Sequence, residues 1–200
     1  VNPQFTLTSD TLRYNTATKV ANIVGPSDID SDENHIYSEL GYYYTQQGQA
    51  ELLNRSILTN EGKQLTGDSL FYDRNKGVGE AFFNVEFVDT ISKNMLTGNY
   101  CYYNQLTSYA FATDKAMAVD FSQGDSLFIH ADTLQMYTFN FNTDSVFREA
   151  RAYHKVRFYR TDVQGVCDSL VFSSKDSCLT MYRDPILWNK QQQLLGEQIM

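Results

Sequence analysis

A short motif returns seven times along the 200-residue chain and constrains its fold more than any other feature. The clearest copy is Gly67-Asp68-Ser69-Leu70-Phe71-Tyr72, in which an acidic anchor is followed by an apolar residue at +2 and an aromatic at +4. The seven anchor residues are Asp10, Glu39, Asp68, Asn99, Asp132, Asp168 and Glu197. Their spacings are 29, 29, 31, 33, 36 and 29 residues, which is typical of a stacked repeat array with loops of variable length.

Each unit has the pattern of two β-strands joined by a polar turn. Apolar residues follow the anchor at every second position, which is the side-chain period of a half-buried strand. In the third unit, a second alternating segment predicts that Ala81, Phe83, Val85 and Phe87 share one face. The segment 184–200 matches the start of another unit, so it is predicted to be mostly strand. We therefore predict an all-β chain.

Composition narrows the class of protein. Hydrophobic residues make up 42% of the chain and aromatic residues 14%, which excludes a disordered chain and favours pleated sheet. The formal net charge is −8, which argues against nucleic acid as a partner. No apolar run approaches the roughly 18 residues that a membrane-spanning helix requires. The three cysteines form no CxxC motif, and Cys167 with Cys178 is the pair that could bridge in an oxidising compartment.

One strand pair cannot bury its apolar face alone, so stacked units are expected to share an elongated core. The predicted architecture is an open-ended β-jelly roll, or a solenoid-like folded sheet, built from about six two-strand repeats. The chain is expected to be one repeat domain, 1–200, that belongs to a longer protein. The predicted units are about 5–34, 35–63, 64–93, 94–125, 126–164 and 165–193, with a truncated unit at 194–200.

The repeated pattern resembles the OstA/LptA family, and most closely the OstA-like proteins of Bacteroidetes-type bacteria. Segments 67–72 and 79–89 carry the clearest match, segment 148–162 carries a looser one, and the resemblance covers about 5–200. It implies a periplasmic protein of lipopolysaccharide transport with a bent, open-ended, taco-like β-jelly roll. Lipid A acyl chains would lie in its apolar groove while the sugars project into water. The longer middle units and the many tyrosines depart from the best-known members.

The resemblance also implies partners: lipopolysaccharide, other transport proteins of the same fold joined through open strand edges, and end-to-end copies of the chain itself. No cofactor, metal or nucleic acid is expected. Candidate groove residues are Leu70, Tyr72, Phe83, Val85, Phe87, Val119, Phe121, Leu134, Met136, Val156, Phe158, Leu170, Phe172, Ile186 and Trp188. Candidate phosphate-binding residues are the cations of the one basic cluster, Arg148, Arg151, Lys155, Arg157 and Arg160.

Other interpretations of the same residues stay open. A structural or adhesive β-solenoid with a filled core would act through its surface, and a carbohydrate-active enzyme would need clustered carboxylates in a cleft. The anchor carboxylates are expected to cap corners by bonding nearby backbone amides rather than to perform acid–base chemistry. His35, His130 and His154 are too scattered for metal ligation, although His154 could point into the groove beside Val156. Catalysis is not predicted.

Overall fold

The chain folds into a single antiparallel β-sheet, which confirms the predicted all-β class. The computed structural model describes residues 6–30, 35–60, 62–91, 93–122, 124–140 and 143–200. The strands are β1 (Thr6–Asn15), β2 (Val20–Asp30), β3 (His35–Tyr44), β4 (Gln49–Asn60), β5 (Lys63–Asp73), β6 (Val78–Asp89), β7 (Asn94–Asn104), β8 (Tyr109–Asp120), β9 (Leu127–Phe139), β10 (Phe147–Arg160), β11 (Val163–Ser173), β12 (Cys178–Tyr182), β13 (Ile186–Asn189), β14 (Gln192–Leu195) and β15 (Gln198–Ile199). Segment 184–200 contributes three of these strands, as predicted.

Each strand from β1 to β12 pairs with the next one along the chain. At the far end the sheet divides, because β13 pairs with β11 and β14 while β15 pairs with β12. The sheet does not close on itself, so β1 forms one free edge. Hairpin connections between sequence neighbours explain this simple order, since antiparallel strands need only short turns to pair.

The long strands bend once near their middle. Pairs of successive residues with positive φ mark the bends on the even-numbered strands: Asn54-Arg55, Phe83-Asn84, Asp114-Lys115 and His154-Lys155. Gly25, with a φ of 87°, marks the bend in β2. The register with both neighbouring strands shifts at these points, and the anchor residues lie opposite them. Because a β-bulge bends its strand, the aligned bends fold the whole sheet along one line, which we call the spine.

The spine divides the sheet into two arms. The turn arm comprises the segments 11–24, 40–53, 69–82, 100–113, 133–140, 143–153 and 169–182. The loop arm comprises 6–9, 27–30, 35–38, 56–60, 63–67, 85–91, 93–98, 116–120, 127–131, 156–167 and 186–195. The turn arm ends in five four-residue turns, 16–19, 45–48, 74–77, 105–108 and 174–177, and in a seven-residue connection between β9 and β10. The loop arm ends in connections of varying length, from two residues at 161–162 to six at 121–126.

Two apolar rows face each other across the fold, and strand register aligns each row from strand to strand. The turn-arm core row is Leu12, Ile23, Gly41, Leu52, Leu70, Ala81, Cys101, Ala112, Leu134, Ala152, Leu170 and Met181. The loop-arm core row is Leu7, Ile29, Ile36, Leu58, Leu65, Phe87, Leu96, Ala118, Ile129, Phe158, Gly165, Leu187 and Leu194. Side chains of both rows pack into one core cluster.

Small side chains line the inner side of the spine, where the arms converge. They include Ser27, Ser38, Ser56, Gly67, Gly98, Ala116, Ala131 and Cys167, and all are buried. The hydroxyl oxygens of Ser38 and Ser56 lie 2.9 Å apart, and Ser38 also donates to the Leu40 carbonyl oxygen at 2.9 Å. These bonds satisfy polar atoms that would otherwise be costly to bury. Small residues here let the two arms approach closely at the bottom of the fold.

The apolar trough as candidate functional site

The folded sheet forms a trough whose bottom is packed. Eleven of the twelve residues in the turn-arm core row are buried, and Ala112 and Met181 have no exposed surface. The arms touch at the β11–β12 end, where a Cβ added to Gly165 would lie 3.2 Å from Met181 Cε and still closer to the ring of Phe158. Glycine at this position therefore makes room for Phe158 and Met181 to fill the lower trough.

The apolar wall contributed by the loop arm is less buried than the wall contributed by the turn arm. Ten of the thirteen residues in the loop-arm core row are half-buried, although several of them pack against the buried cluster. Leu58, Leu65 and Leu96 are typical: each faces the core yet keeps part of its side chain accessible. The apolar surface still available inside the trough therefore lies mainly on this arm.

Above the core row, the turn arm carries a row in which large and small residues alternate. We call it the turn rim, and its members are Tyr14, Ala21, Tyr43, Ala50, Tyr72, Gly79, Tyr103, Ala110, Met136, Ala150, Phe172 and Leu179. The large side chains at the +4 position of the motif remain open to solvent: Tyr14 is 48% exposed, Tyr72 40% and Tyr103 47%. The turn rim is thus an aromatic edge along an otherwise buried wall.

The corresponding row of the loop arm is polar. This loop rim consists of Asn60, Lys63, Asp89, Asn94, Asp120, Leu127, Arg160, Val163, Asn189 and Gln192. Arg160 donates from two guanidinium nitrogens to the carboxylate of Asp162, and this bond lowers the pKa of Asp162. Asp125 accepts hydrogen bonds from the amide and hydroxyl of Thr161, which likewise lower its pKa. Both carboxylates are therefore anionic at neutral pH.

Ten of the fifteen predicted groove residues lie inside the trough. Seven of them face the core or the inner spine: Leu70, Val85, Phe87, Leu134, Val156, Phe158 and Leu170. Three lie on the turn rim: Tyr72, Met136 and Phe172. Their placement agrees with the expected face, and their contact with lipid stays a prediction.

The expected face is wrong for the other five. Phe83 occupies a bend, has positive φ and points outward with 63% of its surface exposed. Val119 is buried but lies on the outer face of the loop arm, since its neighbour Ala118 belongs to the core cluster. Phe121 follows the end of β8. Ile186 and Trp188 flank Leu187, the residue of β13 that faces the core. Strand alternation then places both on the outer face.

The predicted basic cluster does not converge on one site. Arg148 is exposed at the inner edge of the turn arm, whereas Arg151 lies on its outer face, paired with Glu149 and 4.6 Å from the centroid of the Tyr137 ring. The other three cations are distributed along β10: Lys155 at the spine, Arg157 on the outer face of the loop arm and Arg160 on the loop rim. Five cations within 13 residues of one strand are separated because successive side chains alternate between faces and the strand bends between the two arms.

The anchor carboxylates lie on the outer side of the spine, but their partners are mostly side chains rather than the expected backbone amides. Asp68 accepts a hydrogen bond of 2.7 Å from the Asn84 side-chain amide and lies 3.4 Å from the Arg55 guanidinium. Asp168 accepts from the Ser169 hydroxyl and lies near His154, and these contacts lower its pKa. His154 is part of this outer network, so it does not point into the trough.

Eight aromatic rings cover the outer face of the turn arm. They are Phe82, Tyr100, Phe111, Tyr102, Tyr109, Tyr137, Phe139 and Phe147, with centroids of neighbouring rings 4.8–6.2 Å apart. Burial raises the pKa of both Tyr100 and Tyr109 to about 12. The rings therefore pack largely against one another along this face.

The three cysteine thiols are free. Cys167 lies at the inner spine, while Cys178 begins β12 beside Ser173, so the bridge considered from the sequence is not formed. Burial raises the pKa of Cys101 and of Cys167 to about 11. Within the described ranges, no group of three or more histidine, cysteine or acidic residues could hold a metal ion. Those ranges also hold no helix long and apolar enough to cross a membrane.

Sequence reasoning missed most of the loop-arm core row and three rim tyrosines, Tyr14, Tyr43 and Tyr103. A usable signal exists in the bends. Counting two and four residues beyond the first residue of the pair Phe83-Asn84 gives Val85 and Phe87, which are the inward positions. The same count gives Leu58 on β4 and Ala118 on β8, and, from the positive-φ pair Arg183-Asp184 between β12 and β13, it gives Leu187. On the odd strands, the residue four beyond each anchor lies on the turn rim.

Comparison with known proteins finds a likeness of fold among solved structures. No family model matches the chain, and no sequence relative is found among curated proteins. Among solved structures, the chain is similar to LptH of Pseudomonas aeruginosa, described as the LptA-homologous periplasmic component of the lipopolysaccharide transport device. The two are 15% identical, the match covers 60% of this chain and 82% of LptH, and the TM-score is 0.49. This likeness concerns the arrangement of strands only.

Proposed function

We propose that the protein is a non-catalytic, periplasmic lipid-binding protein that shields the acyl chains of lipopolysaccharide in its trough during transport to the outer membrane. The observation that carries this proposal is the pairing of a buried apolar wall with a half-buried one beneath an exposed aromatic rim. The repeated motif that resembles the OstA/LptA family supports the same ligand.

Acyl chains suit this surface because they need apolar area and no directional partner. Each methylene removed from water contributes about 0.8 kcal/mol, so a few chains laid along the loop-arm core row would be held without a charged or catalytic group. The half-buried Leu58, Leu65 and Leu96 would lose their remaining contact with water on binding. The groove residues predicted from the sequence that face inward, such as Phe87 and Phe158, would line the same wall.

Partner proteins of the same fold would bind through the free strand edge. Among the described residues, β1 pairs with β2 alone, and all ten of its residues are exposed or half-buried. An unpaired edge can accept a strand from another sheet by β-augmentation, which would join troughs end to end. Both hetero-assembly with other transport proteins and self-association would use this edge.

Site-specific photocrosslinking tests the proposal directly. A photoreactive residue replaces Phe87 or Tyr72 inside the trough, and Glu86 or Phe71 serves as the adjacent outward control on the same strand. With purified lipid A delivered from detergent, we expect adducts from the inner positions and few from the outer ones. Equal labelling from both members of each pair would contradict an acyl-binding trough.

A second candidate function follows from the packed bottom of the trough. If the turn-arm core row meets the loop arm along the whole fold as Met181 meets Gly165, the protein is a structural or adhesive repeat with a filled core that acts through its surface. Mass spectrometry of the native protein distinguishes the two: co-purified acyl lipid supports transport, whereas a lipid-free protein that lipid A fails to crosslink supports the structural function.

A further inference from the structure

The two rims of the trough differ in chemistry, and this difference indicates how a bound amphiphile would be oriented. The turn rim carries four tyrosines, on β1, β3, β5 and β7, and a tyrosine offers an apolar ring with a hydroxyl at its tip. Tyr72 and Tyr103 keep 40% and 47% of their surface exposed at the level where apolar wall gives way to water. That level is where the junction between acyl chains and headgroup would lie.

Small residues separate the large ones along the turn rim. Ala50 and Gly79 flank Tyr72, and Gly79 and Ala110 flank Tyr103. Since neighbouring strands lie about 4.8 Å apart, large side chains recur about every 10 Å, with a low point between them. Acyl chains can cross the rim at these low points, beside the exposed side chains of Tyr72 and Tyr103.

Charge distinguishes the two edges as well. Among the described residues, the edge of the turn arm carries the cations Lys19, Arg74, Lys76, Arg148 and Lys175 and the carboxylates Asp73, Asp144 and Asp176. The edge of the loop arm carries the cations Lys63, Lys93, Arg160 and Lys190 and the carboxylates Asp30, Asp89, Asp120, Asp125 and Asp162. The first edge is thus net positive and the second net negative, in a chain whose overall charge is −8.

We propose that the turn rim holds the anionic, hydroxyl-bearing headgroup of the bound lipid while its acyl chains reach across to the loop-arm core row. Tyrosine hydroxyls donate hydrogen bonds to headgroup oxygens, and the cations of the turn-arm edge attract its phosphates. Carboxylates of the loop-arm edge repel the same phosphates and so fix the orientation. This assignment rests on the proposed function, because it presupposes a lipid in the trough.

The test compares two charge reversals that change the net charge equally. Lys76→Glu with Arg148→Glu alters the turn-arm edge, where the Lys76 side chain is 74% exposed. Lys63→Glu with Lys93→Glu alters the loop-arm edge, where both residues are exposed. Binding of diphosphoryl lipid A and of its dephosphorylated form is measured at low and high salt. We expect the turn-arm pair to weaken binding of the phosphorylated lipid about tenfold, and salt to reduce the difference.

A hydroxyl deletion tests the tyrosines separately. Tyr72→Phe with Tyr103→Phe keeps both rings, so folding should be unaffected, and we expect both lipid A forms to bind about three- to tenfold more weakly because a hydrogen bond at each position is lost. If the two charge reversals have equal effects and the tyrosine pair has none, the proposed orientation is contradicted, whereas the proposal that the trough binds lipid is not. If lipid A neither binds the wild-type protein nor crosslinks from Phe87, the proposed function itself fails.

Discussion

The turn arm and the loop arm come from the same strands, yet they are built differently. In the turn arm the core row is almost fully buried, five of the turns have four residues each, and stacked rings cover the outer face. In the loop arm the core row is half-buried, the connections vary in length, and the rim is polar. The turn arm thus contributes most of the buried core, and the loop arm carries the accessible apolar surface that the proposed function assigns to a ligand.

Backbone hydrogen bonds link successive connections in both arms, and in the loop arm Thr90 donates to the Gly62 carbonyl oxygen and Phe121 to that of Lys93. In the turn arm, Thr45 donates to the Lys19 carbonyl oxygen at 3.1 Å, Arg74 to that of Gly48 at 2.9 Å, and Gln105 to that of Gly77 at 2.8 Å. Such a ladder aligns one turn on the next. An arm fixed in this way can hold the rim tyrosines at constant spacing along the trough.

The largest expected effect is on stability, and β5 offers a matched pair because it carries one core leucine in each arm. Leu70→Ala in the turn arm, where Leu70 is 5% exposed, should lower the free energy of unfolding by about 2–4 kcal/mol. Leu65→Ala in the loop arm should cost about 1–2 kcal/mol, because Leu65 is only half-buried. Urea denaturation measures both, and equal losses would show that the arms do not differ in packing.

Thiol reactivity compares buried and accessible sites in the native protein without a substitution in the core. A pKa raised from 9.0 to about 11 leaves Cys101 and Cys167 with about a hundredfold less thiolate near pH 8. Cys178, which is partly exposed, should therefore be alkylated first by iodoacetamide, and the other two only after unfolding. Mass spectrometry of the time course gives the order of labelling. Rapid labelling of Cys101 in the native protein would mean that the turn-arm wall opens readily.

The spine that joins the arms can be weakened at a single bend. Asn84 has positive φ and bonds Asp68, so Asn84→Val should lower the free energy of unfolding by about 2 kcal/mol through backbone strain and the lost hydrogen bond. Asn84→Gly is the control, because it loses the hydrogen bond but accepts the backbone conformation. If urea titrations show that valine is tolerated as well as glycine, the bend does not require the left-handed conformation.

The smallest expected effect is a pH dependence at the spine. The Ser169 hydroxyl, followed by His154, lowers the pKa of Asp168 below its ordinary value of 3.8. The anion of Asp168 therefore stabilises the folded state above the unfolded-state pKa, and this contribution is lost as the pH falls through the folded-state pKa. We expect Asp168→Asn to lower Tm at neutral pH and to reduce the further decline below about pH 4. Asp144→Asn, at an exposed connection, serves as the control; an identical pH profile for both variants would contradict this function of Asp168.

The fold was largely predictable because its determinants are local and repeated. The anchor spacing set the strand pairs, and alternation identified inward residues such as Leu70, Val156 and Phe158. The bends were missed, although polar pairs such as Asn54-Arg55 and Asp114-Lys115 mark them. A bend changes which residues of a strand point inward. When alternation is extended across a bend without allowing for it, it still identifies the apolar residues but not the face on which they lie.

The errors at Val119 and Trp188 follow from this omission. Both are apolar and alternate correctly within their own segments, but the inward positions after their bends belong to Ala118 and Leu187. The aromatic row at +4 was visible in the sequence, yet its place at the rim depends on where the spine lies. The separation of the five cations could likewise be predicted only by taking into account both the alternation of side chains along β10 and the bend within that strand.

The repeated bend has a consequence for size. Because each unit carries its own bend, anchor and rim residue, an added unit would lengthen the channel by about 10 Å, the width of two strands, without altering its cross-section. Insertions such as the one between β8 and β9 occur at the tips, away from the bend, and so leave that width unchanged. The number of repeats therefore sets the length of the trough, while the bend in each repeat sets its width.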